Sequence, residues 1–255
     1  MHYTREWLTS NYDSGEPLRF IFFWGHSKKA GQDVGQFVLS QWFLSPFTVD
    51  GIVYPTTEHW MMAWKASLFG DKTAFDKILA AKKPAEVKEL GRQITGFDEI
   101  VWDKRRFEIV KIGNIHKFNQ NPDLLKYLLG SGDSILVEAS PTDSVWGIGL
   151  AQDSEMIDNP YTWNGQNLLG FALMEVRDFL KDFGNFNYIT HSILPPWKKY
   201  PDINPLDMFW RMGTGEDYMS AFSNVFQGLS ERDKKLYELS YPAMGDWAGF
   251  YSNEW

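Results

Sequence analysis

Glu58 and Lys65 are the two charged residues in an otherwise largely apolar segment, residues 57–69. On a helix their spacing of seven would place them on one stripe with Met61 or Met62, roughly 10 Å apart at ~1.5 Å per residue. That separation is too long for a tight ion pair, but it suits an acid and an amine that approach a ligand from two sides. Alternatively, each pairs with a separate charge in the core.

The same segment carries the start and stop signals of a helix. Thr56 or Thr57 can cap its first turn, and Gly70 can end it. The side chains between these signals leave no polar face, which is typical of a helix in the middle of a domain. Because a buried charge is costly unless it is satisfied, both Glu58 and Lys65 require a partner.

Composition limits the class of protein. The chain has 255 residues, no cysteine and a net charge of −8, which argues against a broad electrostatic footprint on duplex nucleic acid. It contains no leader-like segment and no run approaching 18 apolar residues, so we expect a cytoplasmic protein. The 12 Trp, 11 Tyr and 19 Phe residues fit either a large aromatic core or surfaces that stack on a nucleobase.

The chain order predicts a mainly helical α+β fold. Residues 20–24 and 135–137 are expected as buried strands, and Asp50-Gly51 as a hairpin turn. Residues 1–20 are expected as an entry strand or arm, and residues 37–47 as extended chain. Helices are expected over residues 57–69, 74–81, 84–92, 101–118, 122–129 and 163–180.

The amino-acid composition changes after Gly184, where prolines interrupt the chain and tryptophans are scattered among polar residues. We therefore expect a boundary near residues 182–192. It divides the chain into a domain over residues 1–184 and an aromatic-rich C-terminal extension over residues 185–255, whose role the sequence leaves open. The extension could serve as a partner-binding or dimerisation surface.

Many short motifs of the first region occur in a distinctive order. They are Phe23-Trp24-Gly25, Leu39-Ser40, Asp50-Gly51, Glu58-His59-Trp60-Met61-Met62, Lys65-Ala66, Leu90-Gly91-Arg92, Trp102, Lys117-Phe118, Glu138-Ala139-Ser140-Pro141, Asp143, Trp146-Gly147-Ile148-Gly149, Asn167-Leu168-Leu169-Gly170 and Arg177. Over about residues 20–182 this order resembles the NADAR family of YbiA-like N-glycosidases. One departure is Gln41, since the family usually has Asn after Leu-Ser, and substrate specificity could differ there.

The resemblance implies a compact helical domain with a small β component that hydrolyses an N-glycosidic bond at a ribose C1′. Members act on phosphorylated riboflavin-pathway intermediates or remove ADP-ribose from modified guanine in nucleic acid. We favour the second activity, with an ADP-ribose-containing or phosphoribosyl substrate and ADP-ribosylated DNA or RNA as the candidate partner. A non-catalytic reader of ADP-ribose is the alternative from another class. No cofactor and no membrane partner are expected, and the oligomeric state is left open.

Four residues are candidates for catalysis. Cleavage builds positive charge on the ribose and negative charge on the departing base, so a carboxylate near C1′ and an acid or cation near the base are needed. Glu58 is expected to act at the ribose. Lys65 is expected to stabilise the leaving group or to attack C1′ and form a Schiff base. Glu138 and Asp143 would contact substrate or cap the loop between them.

The remaining candidates are for substrate binding, each with a structural alternative. Arg92, Lys117 and Arg177 could bind phosphate or form ion pairs in the protein. Trp24, Trp102 and Trp146 could stack on a base or pack in the core, and Asn167 could bind a ribose hydroxyl. The family match adds Gly25, Ser40, Gln41, Met62 and Gly147. No metal site is predicted, because His59 has no second histidine at ligand spacing.

Overall fold

A buried helix, α2 (Thr57–Leu68), occupies the centre of the protein in a computed structural model that describes residues 1–15, 17–28, 31–190 and 193–252. The Thr56 side chain caps it by accepting a hydrogen bond from the His59 N–H at 3.3 Å. Three helices pack around it: α3 (Lys72–Ala80), α4 (Pro84–Arg92) and α5 (Glu99–Gln120). The prediction of a buried central helix is confirmed, because a helix that is apolar on all sides needs neighbours on all sides.

Two small sheets complete the first region. Strand β1 (Phe20–Phe23) pairs in parallel with β4 (Ile135–Glu138), which places Phe23 opposite Glu138. Strands β2 (Phe47–Val49) and β3 (Ile52–Tyr54) form the predicted antiparallel hairpin. Its turn residues, Asp50 and Gly51, have φ values of 51° and 80°, the positive values that a type I′ turn requires.

Helix α7 (Leu168–Phe183) packs on β4 and α5, and α6 (Pro122–Gly130) lies between α5 and β4 in the chain. A side chain at Gly170 would overlap the Leu136 carbonyl oxygen, so the glycine permits the close approach of α7 to the strand. The predicted mainly helical α+β fold with a small β component is confirmed.

Three local predictions are wrong. Residues 1–20 include a helix, α1 (Arg5–Asp13), capped by the Thr4 side chain, where a strand or arm was expected. Residues 37–47 begin with a 3-10 turn (Gln36–Leu39) instead of extended chain. Helix α7 starts at Leu168 and not near residue 163, because Asn167 adopts a left-handed conformation with φ 55°.

The C-terminal region folds around a second, aromatic core. It contains α8 (Pro196–Lys199), α9 (Gly213–Gln227) and α10 (Glu231–Ser240). The buried members of its core are Trp210, Phe222, Tyr237, Tyr241, Trp247 and Phe250.

This region also contacts the first one. Phe186 and Leu239 join the main core, and the Tyr188 hydroxyl lies 2.6 Å from His116 Nδ1. The predicted boundary near residues 182–192 stays a prediction, although α7 does end at Phe183 with Gly184 as its cap. In the described part of the chain, no helix has the length and apolarity needed to cross a membrane.

Candidate active site

A cavity of about 570 Å³ opens beside the first turn of α2, between the loops that follow β1 and β4. It combines three carboxylates, two cations and four tryptophans. Its lining residues are Trp24, Gly25, His26, Ser40, Gln41, Trp42, Glu58, Met61, Met62, Lys88, Trp102, Arg106, Glu138, Ser140, Thr142, Asp143, Val145, Trp146 and Leu169.

Glu58 enters the cavity from the first turn of α2 and is only 3% exposed. Its N–H donates to the Gln41 carbonyl at 3.1 Å, and its Oε1 has no hydrogen-bond partner. Burial raises the pKa of Glu58 to about 7, while the Lys88 charge and a hydrogen bond from the Trp42 side chain oppose the rise. The nearby Asp143 charge adds to it. Glu58 can therefore exchange a proton near neutral pH.

Glu138 reaches the cavity at the end of β4. Asn167 holds this strand end, since its Oδ1 accepts from the Glu138 N–H at 3.0 Å and its Nδ2 donates to the Leu136 carbonyl at 2.9 Å. Burial raises the pKa of Glu138 to about 8, and the charges of Asp143 and Glu58 add to the rise. Glu138 Oε2 has no hydrogen-bond partner. The cavity thus holds a second carboxyl group that favours its protonated form.

Asp143 caps the loop, as one of the two interpretations of the sequence predicts, and it also lines the cavity. Its Oδ1 accepts from the N–H groups of Val145 at 2.9 Å and Trp146 at 2.8 Å, so it caps the loop after β4. Its Oδ2 lies 3.9 Å from the Lys88 ammonium. Asp143 therefore shapes the loop and also contributes negative charge to the cavity.

Lys88 and Arg106 are the cations that line the cavity, and neither was predicted as a site residue. The Lys88 ammonium lies 6.0 Å from the centre of the Trp42 ring, and Arg106 Nη1 lies 2.7 Å from Asp103 Oδ1. A sequence signal for Lys88 existed. Lys88 stands three residues before Gly91, so both residues lie on one face of α4. Gly91 has no side chain, which lets this face approach Met62 on α2.

Ten of the predicted site residues meet at this cavity. They are Trp24, Gly25, Ser40, Gln41, Glu58, Met62, Trp102, Glu138, Asp143 and Trp146. The other six, Lys65, Arg92, Lys117, Gly147, Asn167 and Arg177, do not line it.

Lys65 lies away from the cavity, near the other end of α2 from Glu58. Its ammonium donates to the Gly91 carbonyl at 2.8 Å and lies 4.1 Å from the centre of the Phe97 ring. It is also 5.5 Å from the centre of the Trp102 ring, which does line the cavity. The two helical turns between Glu58 and Lys65 thus separate them, where we expected them to flank one ligand.

The predicted phosphate-binding residues bind protein groups. Lys117 is fully buried and donates to the carbonyls of Val38 at 2.6 Å and Ser40 at 3.0 Å. Burial lowers the pKa of Lys117 to about 7. The buried Arg177 Nη1 donates to Ser131 Oγ at 2.9 Å and to the Ser134 carbonyl at 2.7 Å. Arg92 is exposed and pairs with Glu89 at 3.3 Å.

Gly147 and Asn167 support the loop that carries Asp143. The Asn167 N–H donates to the Gly147 carbonyl at 3.0 Å. A side chain at Gly147 would come within 2.9 Å of the Glu138 carbonyl oxygen, so the loop can fold against the strand end only with glycine there. Both residues position the acids without lining the cavity.

Comparisons with known proteins show which family the chain resembles. The NADAR domain matches residues 22–181. N-glycosidase R617 of Acanthamoeba polyphaga mimivirus is 42% identical over 168 residues, which cover 64% of this chain and 97% of that protein. The riboflavin biosynthesis protein VVA0006 of Vibrio vulnificus is 30% identical over 205 residues, covering 79% of this chain and 50% of that protein.

The fold is also that of a solved structure, the NMR structure of the Escherichia coli protein YbiA. The TM-score is 0.52 at 24% identity, and the match covers 68% of this chain and 91% of YbiA. The predicted enzyme class, an N-glycosyl hydrolase, is confirmed by relatives named N-glycosidase, which include R617 and the YbiA protein of Shigella flexneri. This chain belongs to the NADAR family.

Proposed function

We propose that this N-glycosyl hydrolase removes ADP-ribose from ADP-ribosylated guanine in nucleic acid. One observation carries the catalytic part of the proposal: Glu58 and Glu138 face one cavity, and each leaves a buried carboxylate oxygen without a protein partner. Unpaired oxygens of this kind are available to a reacting sugar and to a departing base.

The two carboxyl groups are suited to different roles because their surroundings differ. Burial raises the pKa of both groups and the Lys88 charge opposes the rise at both, but a hydrogen bond from the Trp42 side chain favours the charged form of Glu58 alone. The pKa of Glu58 is therefore about 7 and that of Glu138 about 8, so Glu58 is the first to ionise. In the proposed reaction the Glu58 carboxylate stabilises the cationic ribose or activates water at C1′, and Glu138 protonates the base as it leaves.

The rim of the cavity supports a substrate that extends beyond it. Trp24 lines the cavity yet is 55% exposed, and the His26 ring centre lies 5.6 Å from that of Trp42. Exposed rings can stack on bases. Lys88 and Arg106 supply positive charge for a diphosphate. Because the chain as a whole carries a charge of −8, the proposed footprint is a single extruded base or a short single strand.

Lys65 has a place in the proposal as an amine whose pKa burial lowers. The neutral amine of such a lysine can attack C1′ of the sugar and displace the base, which leaves with a proton. Opening of the sugar ring then gives a Schiff base, which water hydrolyses to release the sugar and restore the amine. Reaching the cavity would require its ammonium to leave the Gly91 carbonyl and pass Trp102. Borohydride added during turnover should trap a covalent sugar adduct if this route operates, and Lys65→Arg should abolish it. Turnover without an adduct would show that Lys65 does not attack the sugar and serves only to support Trp102.

The second candidate substrate is a phosphorylated pyrimidine intermediate of riboflavin biosynthesis. The similarity to the Vibrio vulnificus riboflavin biosynthesis protein favours it. A cavity of about 570 Å³ is also within the range of sites that enclose a small ligand whole. In this case the exposed Trp24 would contribute little to binding.

Mass spectrometry of reactions on both substrates tests the proposal. We expect the wild type and the exposed-site control Glu86→Gln to release ADP-ribose from an ADP-ribosylated guanine oligonucleotide, and Glu58→Gln to release it about 10³-fold more slowly. Cleavage of the pyrimidine intermediate alone would assign the second substrate. Binding of ADP-ribose without cleavage of either substrate would instead support the non-catalytic reader.

A further inference from the structure

The side chain of Gln41 has an unexplained feature. It lines the cavity and is only 5% exposed, yet its carbonyl oxygen Oε1 has no hydrogen-bond partner. Its nitrogen Nε2 lies 3.5 Å from the Met61 sulfur. A thioether sulfur can accept a hydrogen bond but cannot donate one. The amide of Gln41 therefore directs its nitrogen, and not its oxygen, at Met61. The oxygen is therefore left for a donor that the protein does not supply.

The main chain on both sides of this side chain is held in place. The Gln41 carbonyl accepts from the Glu58 N–H at 3.1 Å and from the Thr57 hydroxyl at 3.2 Å. The preceding carbonyl, of Ser40, accepts from the buried Lys117 ammonium at 3.0 Å. Gln41 is thus coupled through its main chain to the first turn of α2, which carries Glu58, and both residues line the cavity.

We infer that Gln41 determines specificity for the sugar, by accepting a hydrogen bond from the 2′-hydroxyl of the ribose. The inference rests on the proposed function, which places Glu58 at C1′. The 2′-hydroxyl is attached to the carbon next to C1′, so it is the sugar donor nearest to the Glu58 carboxylate. The donors of the base lie on the side of the leaving group, where Glu138 acts.

A 2′-deoxyribose would occupy the same space without providing this donor. The Gln41 oxygen would then stay unpaired after the ligand has displaced water from the cavity, which penalises binding. Hydrogen bonds to this hydroxyl also strengthen in the transition state of glycoside cleavage. The site should therefore discriminate against 2′-deoxyribosides, whichever base is attached.

Calorimetric titration with ribose 5-phosphate and 2-deoxyribose 5-phosphate tests this inference. Ribose 5-phosphate is the chemistry shared by ADP-ribose and the phosphorylated pyrimidine. We expect the wild type to bind ribose 5-phosphate about 10-fold more tightly than the deoxy sugar. In Gln41→Met, which keeps the length of the side chain and replaces the amide oxygen with at most a weak sulfur acceptor, the two affinities should be about equal.

Two further readouts separate recognition from a structural role. Thermal unfolding of Gln41→Met should show no loss of stability, because the substitution removes a buried acceptor that has no partner in the free protein. A second variant, Gln41→Asn, keeps the amide but withdraws it by one methylene, and its preference for ribose should lie between those of the wild type and Gln41→Met.

Three results would overturn the inference: equal affinity of the wild type for the two sugars, binding of neither, or an unchanged preference in Gln41→Met. These results are distinct from a failure of the proposed function. Cleavage of the oligonucleotide without sugar discrimination rejects only the role of Gln41. Discrimination by a protein that cleaves neither substrate rejects only the proposed reaction.

Discussion

Two groups of buried polar residues at family-matched positions behave in opposite ways. In the cavity group, Glu58 and Glu138 each leave a carboxylate oxygen unpaired. In the frame group, Lys117, Arg177 and Asn167 direct their side chains to main-chain groups of the protein. Burial alone therefore does not separate a site residue from a structural one.

The partners distinguish these two groups better than burial does. Within the described residues, four side chains leave a buried oxygen without a partner, and three of these, Gln41, Glu58 and Glu138, line the cavity. The fourth belongs to Asn114, and the buried nitrogens without a partner, on Arg5, Trp64, His116 and Trp197, also lie outside the cavity lining. A satisfied buried group stabilises the fold, whereas an unsatisfied one that also lines a cavity is available to a ligand. The experiments below change one group at a time and measure activity and stability together.

The largest effect is expected for Glu58→Gln. The substitution removes the carboxylate proposed to act at C1′, so kcat should fall about 10³-fold. The free energy of unfolding should not fall. Burial raises the pKa of Glu58, so at pH 8 its buried charge destabilises the wild type, and the neutral Gln removes that charge. Single-turnover kinetics and thermal unfolding at pH 8 check this, with the exposed-site variant Glu86→Gln as control. A parallel loss of stability would show that Glu58 belongs to the frame group and has a structural role.

The pH dependence of kcat/KM should reflect both cavity acids. Activity should rise as Glu58 loses its proton at pH about 7 and fall as Glu138 loses its own at pH about 8. Since the Lys88 charge lowers the pKa of both acids, Lys88→Met should move the rising and the falling limb to higher pH. The exposed-site variant Lys104→Met serves as control. A rising limb that stays in place would show that Lys88 does not hold Glu58 in its charged form.

Arg177→Met should change stability and leave substrate binding intact. Its guanidinium holds the turn between α6 and β4 through Ser131 and the Ser134 carbonyl, so the free energy of unfolding should fall by about 3 kcal/mol. KM should match that of the wild type. Denaturant unfolding and steady-state kinetics give the two values. A raised KM at unchanged stability would return Arg177 to the phosphate-binding role that the sequence suggested.

The smallest effect is expected for Arg92→Gln. Arg92 is exposed and its pairing with the exposed Glu89 is a surface ion pair, so stability should change by less than about 0.5 kcal/mol. KM should also be unchanged. Kinetics on both candidate substrates provide the check. A KM that rises several-fold for a phosphorylated substrate would mean that Arg92 reaches the ligand.

Sequence reasoning identified ten residues that line the cavity but not the partners of the basic residues. The acidic Glu58 in an apolar helix was an anomaly in itself, and Glu138 was visible at the end of a short buried strand. The sequence predicts that Lys117 and Arg177 bind phosphate, because it identifies a basic residue but does not identify the group with which that residue pairs. Lys88 was missed because it lies on a helix whose charged residues look like an ordinary solvent-facing surface.

The sequence by itself determined the features that depend on neighbouring residues. A threonine cap at position 56 or 57, the apolar faces of α2, the Asp50-Gly51 turn and the order of the family motifs can all be recognised without coordinates. Only the tertiary structure decided which polar groups are satisfied. The partners of Lys117 lie 77 and 79 residues away and those of Arg177 lie 43 and 46 residues away. Hydrogen bonds are formed across space, so a role that depends on a missing partner becomes visible only when the chain is folded.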